Sequence, residues 1–111
     1  MDIKEVIKAL SAKDMESYEK SKEVKNDLLA LRDCLLERKK YQEARNYLYD
    51  YAKGNFTLAD AMKRLDERIH RYILIGETIR DKESRFAIHN ELKLDSLKRI
   101  RETVSSIADG I

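Results

Sequence analysis

Lys53-Gly54-Asn55-Phe56-Thr57-Leu58-Ala59-Asp60 is the stretch on which the reading of this chain turns, because it is the one turn signal between two long helical patterns. Gly54 and Asn55 tolerate the left-handed backbone angles that end a helix. Thr57 is a good N-cap, and Asp60, three residues on, supplies the acidic half of a capping box. The chain is expected to turn back here, with the helices on either side forming an antiparallel hairpin.

Downstream, Leu58, Met62, Leu65, Ile69, Tyr72, Gly76 and Ile79 recur at alternating steps of four and three, the seam of a coiled-coil-like packing. Upstream, Met15, Tyr18, Val24, Leu28, Leu31, Leu35, Tyr41, Ala44, Leu48 and Tyr51 form the inward stripe of a helix read as unbroken from Asp14 to Lys53, with a phase slip between Leu35 and Tyr41. At roughly 1.5 Å per residue it would be about 60 Å long. Folding about Asn55 pairs Tyr51 with Leu58, Leu48 with Met62, Ala44 with Leu65, Tyr41 with Ile69, and the Leu31 to Cys34 turn with Gly76. Glycine inside a helix costs about 1 kcal/mol relative to alanine, so Gly76 marks a close helix approach.

Before this hairpin, Asp2 can cap a short helix carrying Ile3, Val6, Ile7 and Leu10 and ending near Ser11-Ala12-Lys13. After it, two readings stand. The third helix continues to about Ala108, since Leu97, Ile100, Val104 and Ile107 keep its heptad phase, or a bend near His89-Asn90 makes a separate helix. The expected architecture is all-α: one helical domain over 1–111, with helices near 2–11, 14–53, 57–80 and 95–108.

Composition agrees with that class. Proline is absent, there are 3 glycines, 40% of the residues are charged and 42% are hydrophobic, which fits helices with charged faces around an ordinary core. The single cysteine, Cys34, lies in an apolar run, so an internal disulfide is excluded and a buried thiol expected. The start, Met1-Asp2-Ile3-Lys4-Glu5, lacks the apolar segment of a signal peptide, and no run is long enough to span a bilayer, so the expectation is a cytoplasmic protein with no membrane partner.

Motifs for chemistry are sparse. Glu67 and His70 have the Glu-x-x-His spacing of di-iron carboxylate bundles, but that motif occurs once where such a site needs two. Glu16 and Glu19 resemble half of an acidic magnesium motif. No glycine-rich phosphate loop is present, and a narrow hairpin offers little enclosed pocket. The expectation is a non-enzymatic protein with no catalytic residues, cofactor or metal. The run from Lys53 to Met62 is similar to the turn and helix start of small subunits of exodeoxyribonuclease VII, but any capped helix after a glycine turn shares that pattern, so no family is recognised.

Two kinds of surface remain. Leu29, Leu36 and Tyr49 on the first long helix and Ile73 on the second fall off the seam, and a two-helix hairpin cannot cover two apolar faces of one helix. With the terminal residues Ile3, Ile7, Ile100 and Ile107, they would be covered by a second copy, most simply where one strip meets itself in a dimer with four long helices. A helical assembly or adaptor protein that self-associates, or engages another protein partner, is the leading expectation. The alternative is nucleic-acid binding through a basic band of Arg38, Lys39, Lys40, Arg45, Arg64, Arg68 and Arg71, which the expected hairpin sets side by side. The net charge of +2 is low for such a binder, and spacing of four also allows Asp60 to pair with Arg64 and Glu67 with Arg71.

Overall fold

The computed structural model describes residues 2–111; Met1, part of the expected chain start, lies outside them. Among the described residues the chain is all-helical: α1 (Ile3–Glu23), α2 (Leu28–Ala52), α3 (Leu58–Thr78) and α4 (Arg85–Asp109). Among the described residues no helix is long and apolar enough to cross a membrane.

The boundaries follow from side-chain caps. Asp2 accepts from the Lys4 amide at 3.1 Å and starts α1, which does not end at Ser11-Ala12-Lys13 but runs through it. The break comes instead at Val24–Asp27. There the Asp27 amide donates to the Val24 carbonyl at 2.9 Å, and the Asp27 carboxylate accepts from the Ala30 amide at 3.2 Å to start α2. The expected 14–53 helix is therefore two helices, and the steps counted from Val24 to Leu35 straddle a turn. An aspartate N-cap satisfies amides that a continuing helix would bond itself, so this stop needs neither glycine nor proline.

The Gly54 corner forms as expected, with the reciprocal capping box of Thr57 and Asp60 at 2.9 and 3.1 Å. The hydrogen bond from the Thr57 backbone holds the Asp60 carboxyl below its ordinary range. One detail differs: no described residue has a positive φ. What glycine at 54 supplies is space: a Cβ there would lie 2.9 Å from the Phe56 ring, which packs edge-on against Tyr51 with centroids 5.7 Å apart, and the ring would have to shift.

A further break follows Thr78, close to the expected end of that helix near residue 80. The Lys82 ammonium donates to the Gly76 carbonyl at 2.6 Å, a cation at the negative end of α3. The Ser84 hydroxyl accepts from the Ala87 amide at 3.1 Å and starts α4. Of the two sequence readings, the continuous helix to Ala108 does not form; a separate last helix does, but it begins at Arg85 and passes straight through His89-Asn90 instead of starting after a bend there.

Pairing follows from these breaks. α1 packs along α2 and α3 along α4, while α2 and α3 share little beyond their corner. The expected long α2–α3 hairpin is replaced by two hairpins, α1–α2 and α3–α4. Cys34 is buried against α1, beside Ser17 and Lys20, and does not face Gly76. Gly76 does mark a close approach, but to α4: its Cβ position lies 3.2 Å from the Asn90 amide nitrogen, which donates to the Tyr72 carbonyl at 3.1 Å.

The two hairpins join at one end. Ile3, Val6 and Leu10 of α1, Ala44 and Leu48 of α2, Ala61 and Leu65 of α3, and Leu97, Ile100 and Val104 of α4 form the buried core. These are the first halves of α1 and α3 and the second halves of α2 and α4, so the Val24–Asp27 and Ile79–Ser84 tips lie away from it. A radius of gyration of 16.2 Å, against about 13 Å for a compact chain of this length, reflects that open form.

Candidate association surface

Two polar devices lock the hairpin arrangement and take up residues that the sequence offered for other roles. Asp14, expected to begin a helix, lies inside α1 and is 8% exposed. Its carboxylate accepts from Arg38 Nε at 2.9 Å and from Gln42 Nε2 at 3.1 Å, with Arg45 Nη1 at 3.7 Å. A buried carboxylate is stable only with such partners, and this one ties α1 to three residues spaced along α2. Arg38 also stacks over Tyr18 at 4.8 Å, and Arg45 lies 5.9 Å from the Tyr49 ring. The second device is at the corner: the Tyr47 hydroxyl donates to the Ala61 carbonyl at 2.8 Å and meets the Tyr51 hydroxyl at 3.3 Å. Burial, then the Tyr51 contact, raises the Tyr47 pKa above its usual value.

The seven basic residues are distributed by this geometry. Arg38 and Arg45 face Asp14, Lys40 pairs with Glu37 at 3.1 Å, and Arg64 lies 3.9 Å from Glu67. Among the described residues Lys39, Arg68 and Arg71 make no ion pair. Because α2 and α3 diverge from their corner, the band across two parallel faces is not assembled. The pairings of Asp60 with Arg64 and of Glu67 with Arg71 are not made either, since Asp60 serves the capping box and Glu67 turns to Arg64. His70 is exposed on α3, and Glu16 pairs with Lys13 at 3.6 Å.

The apolar candidates divide. Ile3 and Ile100 lie in the core, and Ile7 and Ile107 pack against it. The fold covers these four within one chain, against the expectation that a second copy would. Ile73 is half-buried and lines a hollow between α3 and α4 with Tyr72, Gly76 and Leu94. Leu29 and Leu36 remain 70% and 54% exposed, and Tyr49 42%.

Sequence reasoning missed the neighbours of those two leucines. Leu28 and Leu35, assigned to the seam, are 79% and 50% exposed, so four leucines lie along one side of the first turns of α2 after the Asp27 cap. The opposite face of α2, with Cys34 and Arg38, is the one that meets α1. A second exposed group, Phe86, Ile88 and Leu92 at 65%, 49% and 61%, occupies the first turns of α4. The sequence signal was Asp27 itself: a helix capped there makes Leu28-Leu29 a first turn rather than the interior of a long stripe.

No protein-family model matches this chain. No curated protein is significantly similar to it. No solved structure is significantly similar to it either.

Proposed function

We propose that this is a non-enzymatic, cytoplasmic helical assembly or adaptor protein that associates with itself, a dimer being the simplest form. The observation that carries this reading is the group of Leu28, Leu29, Leu35 and Leu36, half to four-fifths exposed along one side of the first turns of α2. Single exposed leucines are ordinary on protein surfaces, but a contiguous group is the usual mark of an interaction site. Each leucine fully covered contributes about 1.5 to 3 kcal/mol, so covering the group favours association. Nucleic-acid binding draws less support, because two of its seven cations face a buried carboxylate.

The test is solution mass by light scattering, with helix content followed by circular dichroism. A dimer is expected at micromolar concentration, and Leu36→Glu should convert it to a monomer with its helices retained. A wild-type chain that stays strictly monomeric at high micromolar concentration would sink the proposal.

A further inference from the structure

Leu29, Leu36 and Glu43 lie seven residues apart on one face of α2, and Glu43 is gripped by Arg99 of α4 through two bonds of 2.9 Å. On α4, Leu92 lies seven residues before Arg99, with Ile88 one turn earlier. The α2 leucines thus continue the side of α2 that carries Glu43, and Leu92 the side of α4 that carries Arg99, the two residues that join α2 to α4. Within one chain the two hairpins separate before these faces meet, which leaves both exposed.

Charge distinguishes the two faces. Arg32, Asp33 and Lys39 stand among the α2 leucines, while Arg85, Glu91 and Asp95 border Ile88 and Leu92, a net positive rim on α2 and a net negative one on α4. All six are exposed, and none makes an ion pair among the described residues. Two α2 patches brought together would join two net positive rims, whereas an α2 patch on an α4 patch joins a net positive rim to a net negative one. Area argues the same way. A buried aliphatic side chain removes roughly 100 Å² of apolar surface, so the four α2 leucines offer on the order of 300 Å². A stable interface takes about 800 Å² per partner. One patch falls short, and using both on each chain with their charged rims approaches the requirement.

We propose that the occupant of the α2 patch is the α4 patch of a second copy, and reciprocally, in a two-fold dimer where α2–α4 packing is continued between chains. This rests on the self-association proposed above and replaces the simpler expectation of one strip meeting itself. A reciprocal contact of two different patches under a two-fold axis closes at two chains.

Cross-linking between two populations tests it. In a Cys34→Ser background, one population carries Leu36→Cys and the other Leu92→Cys, each verified by circular dichroism. After mixing and subunit exchange, a short bismaleimide should give a covalent dimer several-fold more abundant than in either population alone. Strong linking of Leu36→Cys chains to one another would overturn the pairing while leaving self-association intact, as would a dimer by light scattering that links in no combination. A monomer by light scattering would remove the pairing and the proposed function together.

Discussion

Asp14 shows how much one side chain holds. Among the described residues it is the one carboxylate paired with Arg38, Gln42 and Arg45, so Asp14→Ala leaves two guanidinium groups on the α1–α2 contact without that partner. Hydrogen bonds to charged groups contribute about 1.5 to 3 kcal/mol, and a loss of about 2 kcal/mol in urea unfolding is expected. Tyr47 acts in another pH range. Its folded pKa is raised above the ordinary 10.0 by burial, so its contribution is complete below the unfolded value and is lost as pH rises from about 10. Tyr47→Phe should lose about 1 kcal/mol at neutral pH and show a shallower fall in stability above pH 10, measured as urea midpoints across the titration.

At the scale of elements, the α3–α4 pair carries a conflict that a double-mutant cycle can read. Gly76→Ala gains about 1 kcal/mol in helix propensity, but the new methyl would sit 3.2 Å from the Asn90 nitrogen, which is buried and bonded to Tyr72. In the wild-type background Gly76→Ala is expected to destabilise. In an Asn90→Ala background, where the crowded amide is gone, the same change should stabilise by about 1 kcal/mol. Equal effects in both backgrounds would mean that Asn90 does not set the α3–α4 spacing.

For the molecule as a whole, inner and outer leucines should separate folding from association. Leu65 is fully buried where α3 meets the shared core. Leu65→Glu places a carboxylate there with no partner and should abolish the cooperative thermal transition. Leu36→Glu, on the exposed patch, should leave the transition of the monomer close to that of the wild-type monomer and lower the solution mass to one chain. Should both substitutions unfold the chain, folding and assembly are one event, and the outer patch is part of the stabilising core of the dimer.

The sequence by itself determined what depends on neighbours within a few turns: the all-helical class, the Asp2 cap and the Thr57–Asp60 box. It also determined the buried setting of Cys34 and the close approach at Gly76. It missed the Asp27 and Ser84 caps because a helical stripe reads equally well through a short polar turn, and those misses joined α1 to α2 and led into α4. Only the tertiary structure decided which helix lies against which. Leucine at 28, 35, 48 and 65 is the same residue in each local pattern, yet the first two face solvent and the last two fill the core. Periodicity assigns a side chain to a face of its own helix, while burial depends on where the caps let the chain turn and on which polar partners, Asp14 with Arg38 and Glu43 with Arg99, hold two faces together.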